Sequence, residues 1–151
     1  MKWIWLVVLC LQLQADLPPR FIAALHYAES RGKTNRIKDG DGGRAIGPFQ
    51  IHKIYWKSAM EFRNLGGTYQ DCRKYDYSVK VVNACMERWA SEHIKAGNWE
   101  AVARTHIGGP TGYKKACTKP YGKAVTAHMG LHFVGDHQMD SSSRRAKQAN
   151  R

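Results

Sequence analysis

The chain has 151 residues, 43% of them hydrophobic, which suits one globular domain with one core and excludes a wholly disordered chain. Its 24 Lys and Arg against 12 Asp and Glu give a formal net charge of +12. Such an excess points to a polyanionic partner (nucleic acid, an anionic membrane or bacterial wall polymer), or else to solubility and a basic tail.

Residues 1–15 combine a positive start at Lys2, an apolar run over 3–11 and a small residue at the end of Leu13-Gln14-Ala15. That pattern reads as a secretory signal, because the apolar run is too short to span a bilayer. The competing readings are a short anchor or a buried first helix. Cys10 falls inside the leader, so Cys72, Cys85 and Cys117 remain in a compartment that favours disulfides. An odd number leaves one thiol over, and Cys72 with Cys85 is the pairing expected. No Cys-x-x-Cys or His-x-x-x-His spacing supports a zinc site, and His52, His93 and His128 are expected singly on helix faces.

Pro18 and Pro19 suit a helix start, and Phe21, Ile22, Leu25 and Ala28 share one face, so a first helix is expected over 18–30 with Gly32 at its stop. Residues 33–45 are rich in glycine and predict a loop or short irregular hairpin. A second helix opens near Pro48, with Phe49, Ile51, Ile54, Tyr55 and Met60 as its apolar stripe. A third runs from about Ser78 to Gly97, on Val79, Val82, Cys85, Met86, Trp89 and Ala90. Asn98 caps a short fourth helix over 99–105, residues 106–112 form a turn, and a weaker last helix covers 121–133. Residues 136–151, with Ser141-Ser142-Ser143 and several basic side chains, read as a disordered tail after a domain over 16–135.

The chemistry concentrates around Glu29. It follows an apolar helix, one position off the buried face, where partial desolvation raises a carboxyl's pKa and suits a general acid. Asp39 and Asp41 follow on a glycine-rich turn that water reaches, where a carboxylate stays charged. Such a pair is what glycosidic cleavage uses, although an isolated Glu near a helix end is more often merely solvated. Tyr55-Trp56 could offer flat rings to a sugar, or belong to the core. Gln50 could hold the Glu29 carboxyl or an acetamido group, or bond to backbone.

Four segments in order carry a resemblance: Ala28-Glu29-Ser30, Gly47-Pro48-Phe49-Gln50-Ile51, Tyr55-Trp56, and His106-Ile107-Gly108-Gly109-Pro110-Thr111-Gly112. Together they resemble the invertebrate-type (destabilase-like) lysozymes, over roughly residues 21–125. That family shows Leu-Glu-Ser, then Cys-Gly-Pro-Tyr/Phe-Gln-Ile, then Tyr-Trp, then His-Asn-Gly-Gly-Pro-Asn-Gly. Goose-type lysozymes and lytic transglycosylases share only the Glu-Ser and Gly-x-x-Gln-Ile core. The resemblance implies a mainly α, lysozyme-like fold, small and helical, with a hairpin or loop beside the active-site cleft. It makes Glu29 the acid and Asp41, twelve positions on, the second carboxylate. Asp39 competes, because the gap to the next motif is one residue short. Gly40, Gly42 and Gly43 favour Asp41 by freeing its backbone. His106 would line the cleft or close its turn by a structural hydrogen bond, and Gly108, Gly109 and Pro110 would shape the wall.

The chain departs from the family in having few cysteines and in placing Ile107 where the motif has Asn. Arg44 and His52 stand where the family's isopeptidase activity has Ser and Lys, so that activity is expected to be absent. The implied activity is hydrolysis of the β-1,4 bond after N-acetylmuramic acid, by a secreted, extracellular enzyme of defence or digestion. Catalysis would rest on Glu29 and Asp41, and substrate binding on Gln50, Tyr55, His106, Gly108 and Gly109. No metal or cofactor is implied. The partners expected are bacterial peptidoglycan and anionic bacterial surfaces, with no nucleic acid, no stable membrane insertion and a monomeric state. The rival readings are a non-catalytic cationic antimicrobial or wall-binding protein and a single-acid lytic transglycosylase.

Overall fold

The structure, a computed structural model, describes residues 16–35 and 37–130. The expected leader (1–15) and basic tail (136–151) lie outside the described residues. Helix α1 spans Pro19–Ser30, and its Pro18-Pro19 start supplies no backbone donor where none would be satisfied. It buries Phe21, Ile22 and Leu25 of the expected face together with Ala24, while Ala28 is only half-buried. It ends at Arg31, whose backbone is left-handed (φ 55°) and whose N–H donates to the Tyr27 carbonyl, with Gly32 (φ 73°) following.

The expected loop follows α1, with a short turn over Asp41–Gly43, and the hairpin lies just after it. Strands β1 (Ala45–Ile46) and β2 (Ile51–His52) pair antiparallel with Ile46 opposite Ile51, and a further bridge joins Gly40 to Ala45. This revises the second helix. Instead of opening near Pro48, residues 47–50 form a tight turn, and α2 spans Lys53–Phe62. The reason is backbone conformation: Gly47 (φ 74°) and Gln50 (φ 47°) are both left-handed, which no helix start accommodates. A side chain at Gly47 would also stand 1.9 Å from the Cys72 carbonyl, so only glycine fits. Ile54, expected in the apolar stripe, is exposed, while Tyr55 and Ala59 are the buried positions of α2.

Helix α3 spans Tyr75–Lys95, starting three residues earlier than its periodicity suggested, and packs against both α2 and α4. It carries Val81, Val82, Ala84, Cys85 and Met86 into the core. Helix α4 spans Trp99–Gly108, and the Asn98 side chain accepts from the Ala101 N–H at 3.1 Å, as a cap should. It runs through His106, which therefore sits on a helix rather than in the expected turn; the break comes at Gly109 (φ 77°). Helix α5 is described over 119–130. Phe21, Leu25, Ile46, Phe49, Ile51, Met86, Val102 and Val125 are fully buried in one continuous core. Each such side chain contributes about 1.5–3 kcal/mol by leaving water.

The Cys72–Cys85 bridge does not form. Both are buried free thiols, and Cys117 is an exposed one. The Cys85 thiol instead faces across to α2, where it donates to the Tyr55 carbonyl at 3.8 Å. Burial pushes the Cys72 thiol up to about 12 and raises that of Cys85 as well. Among the described residues no helix is long and apolar enough to cross a membrane, and no group of three or more His, Cys, Asp or Glu side chains could hold a metal ion.

Candidate active site

Glu29 occupies the last turn of α1, where the helix leaves the core. Its side chain is 15% exposed, at the rim of a pocket of about 210 Å³ that Phe49, Gln50, Ile51, His52, Tyr55, His106 and Ile107 also line. Two groups from other helices hold it. The Tyr121 hydroxyl of α5 donates to Glu29 Oε1, and the His106 Nε2 of α4 lies 3.6 Å from the same oxygen. The other ring nitrogen of His106, Nδ1, is 3.0 Å from the hydroxyl of Tyr55 on α2. Four helices thus converge on one carboxyl. Burial, reinforced by the Glu29 charge and hydrogen bond, drives the Tyr121 hydroxyl well above the usual phenol range, so it stays a donor. Tyr55 is raised likewise, chiefly by burial.

The two candidate partners differ sharply. Asp39 receives a bidentate pair from Arg73, at 2.6 and 2.8 Å, and this hydrogen bonding lowers its pKa. Arg73 lines a different hollow, with Thr34, Ile37 and Gly47. Asp41 sits on the exposed turn at φ 48°. Its Oδ1 accepts from Arg44 at 2.6 Å and its Oδ2 lies 3.6 Å from His52 Nε2. His52 lines the Glu29 pocket, so it stands between Asp41 and that pocket. His52 was expected alone on a helix face; it is instead the residue that precedes α2.

The other expected site residues divide. Gln50 lines the pocket, but its amide donates to the Gly47 carbonyl at 3.0 Å and the Lys38 carbonyl at 3.4 Å. Its side-chain oxygen leaves no room for a Cβ at Gly40, which would come within 2.2 Å. Gln50 therefore braces the hairpin beside Glu29. Tyr55 is only 7% exposed and packs edge-on to Trp89, while Trp56 turns away and donates its Nε1–H to the Tyr77 hydroxyl at 3.1 Å. Successive helix positions diverge by about 100°, so these two rings do not make a shared platform. The exposed apolar side chain at the pocket is Ile107, 51% exposed. Gly108 and Gly109 do not line the pocket. A Cβ at Gly108 would crowd Thr118 at 2.9 Å, and the Gly109 carbonyl accepts from the Gly112 N–H at 2.7 Å, so both shape the loop after α4. Sequence reasoning missed Tyr121. It reads as an ordinary aromatic on a weak helix, and nothing local ties it to a carboxyl 92 residues away.

A larger hollow of about 660 Å³ lies between the start of α1 and α3, lined by Leu17, Ile22, Tyr75 and Val79 among others. The carboxyl held by histidine and tyrosine lies in the smaller one.

A mainly α domain of this form, with a carboxyl ending its first helix beside a short hairpin, has a lysozyme-like fold. No protein-family model matches the chain. Two curated relatives are similar to it. A lysozyme of the oyster Ostrea edulis is 35% identical over 86 residues, 55% of this chain and 61% of the oyster protein. A lysozyme of the clam Meretrix lusoria is 28% identical over 119 residues, 76% of this chain and 93% of the clam protein. The chain thus spans less than two thirds of the oyster relative and nearly all of the clam one. Both relatives are bivalve lysozymes, which bears out the resemblance drawn from the four motifs.

Proposed function

We propose that the protein is a secreted lysozyme that hydrolyses the β-1,4 bond between N-acetylmuramic acid and N-acetylglucosamine in bacterial peptidoglycan, in defence or digestion. The observation that carries this reading is the Glu29 carboxyl, at the mouth of a pocket and held on one oxygen by Tyr121 and His106. The two bivalve relatives, named as lysozymes, support the same substrate class.

In this reading Glu29 protonates the leaving glycosidic oxygen. Asp41 attacks the anomeric carbon or stabilises its oxocarbenium-like state. Glu29 then takes a proton from the water that completes hydrolysis. Each aspartate pairs with an arginine, and Asp41 is preferred because it adjoins the Glu29 pocket through His52, whereas the Arg73 partner of Asp39 lines a different hollow. The net charge of +12 holds the enzyme near anionic wall polymer, a grip that salt weakens.

Mass analysis of the products from purified peptidoglycan tests the reaction type. Hydrolysis gives a reducing muramic acid end. A 1,6-anhydro end would instead establish a transglycosylase with a single acid, and release of no fragment alongside bacterial killing would establish a non-catalytic cationic protein.

A further inference from the structure

We infer that Tyr121 is a positioning residue for Glu29: its hydroxyl holds Oε1 and so fixes the orientation in which the carboxyl faces the pocket. The inference rests on the lysozyme reading for its consequence in turnover, but the contact itself is testable without it.

Both protein contacts to the carboxyl converge on one oxygen. Tyr121 donates to Oε1, and His106 Nε2 stands 3.6 Å from it. Among the described residues no hydrogen bond reaches Oε2, and the side chain is 15% exposed at the rim of the pocket. The Tyr121 hydroxyl can donate to Oε1 or accept from it, so in either protonation state that oxygen stays engaged by the phenol and Oε2 is the one left to meet a substrate oxygen. The carboxyl is thereby oriented as well as desolvated, which a solvated Glu near a helix end would not be.

The fold holds Tyr121 to this task. A Cβ at the next residue, Gly122, would come within 2.7 Å of the Arg104 side chain, so α5 lies close against α4 at this turn. The loop at Gly108 and Gly109 feeds into the same packing through Thr118, whose hydroxyl donates to the Gly112 carbonyl at 2.7 Å. The glycine-rich motif after His106 therefore serves the site from a distance by seating α5. The groups facing Glu29 are Tyr121 from α5, His106 from α4, Tyr55 behind His106 on α2, and His52 across the pocket. Tyr121 is the hydroxyl that touches the acid directly.

The test is Tyr121→Phe in the full chain, with kcat and KM on soluble peptidoglycan fragments from pH 4 to 9. The variant should lose kcat by roughly 10- to 100-fold with KM within about twofold. An unchanged kcat across that pH range overturns the inference. Should the variant not fold, the ¹³Cζ shift of Tyr121 decides. It should differ between the wild type and Glu29→Gln, because the partner of the hydroxyl changes from a carboxyl to an amide, and identical shifts refute the contact. A wild type that cleaves no peptidoglycan removes the lysozyme reading, and that shift comparison still decides the role of Tyr121.

Discussion

Tyr55→Phe isolates the hydrogen bond that, among the described residues, fixes the His106 ring. The phenyl ring keeps its edge-on contacts with Trp89 and His106, at centroid distances of 5.2 and 5.3 Å, so no cavity opens. What is lost is the 3.0 Å partner of His106 Nδ1, in a residue only 8% exposed. A buried polar atom deprived of its partner costs about 1–3 kcal/mol, and that is the expected loss of stability. Urea unfolding followed by circular dichroism at pH 7 measures it, with an unchanged m-value as the sign that only the native state is affected. A cycle with His106→Leu sharpens the reading: once the imidazole is gone, removing the hydroxyl should add little. Turnover should also fall several-fold, because the freed ring no longer holds Nε2 beside Glu29. A loss below about 0.5 kcal/mol, or full additivity in the cycle, would refute the bond.

Gly47→Ala should destabilise the domain by more than the roughly 1 kcal/mol of left-handed strain, since its Cβ would lie 1.9 Å from the Cys72 carbonyl; thermal unfolding near the wild-type midpoint would show that the turn yields instead. A thiol-reactive disulfide reagent at pH 8 should modify Cys117 rapidly and reach Cys72 and Cys85 only in denaturant, because burial holds the Cys72 thiol at about 12; fast native modification of all three would contradict the packing. Asp39 is lowered from 3.8 by Arg73, so its contribution to stability is present above that value and disappears as pH falls through the lower native one. The stability difference between wild type and Asp39→Asn should accordingly be visible at pH 6 and fade at about pH 2, and a difference that grows on acidification would reverse the assignment.

The helices were legible because their apolar positions recur at three and four and their ends carry proline, asparagine and glycine signals. Pro18-Pro19 opens α1 and Asn98 caps α4 as read. The start of α2 was not legible. Phe49 and Ile51 look like helix-face residues, but the left-handed turn at Gly47 and Gln50 hands them to a hairpin. Tyr55 shows the same limit in the site. A tyrosine beside a glycine-rich motif suits a sugar, and only the packing of α2 on α3 and α4 reveals that it faces inward to His106. Spacing from Glu29 favoured Asp41 while the gap to the next motif kept Asp39 in play, and the pairing of Asp39 with Arg73, 34 residues on, could not be read from either. Tyr121, further still from Glu29 in the chain, left no local sign at all.

In the proposed reaction Glu29 delivers the proton to the leaving oxygen. Glu29→Gln keeps the shape of the side chain and removes that proton, and the clearing rate of a Gram-positive cell suspension reads the result. Loss of at least about 100-fold in rate, with the fold intact by circular dichroism, is the outcome expected. Clearing at the wild-type rate would contradict it.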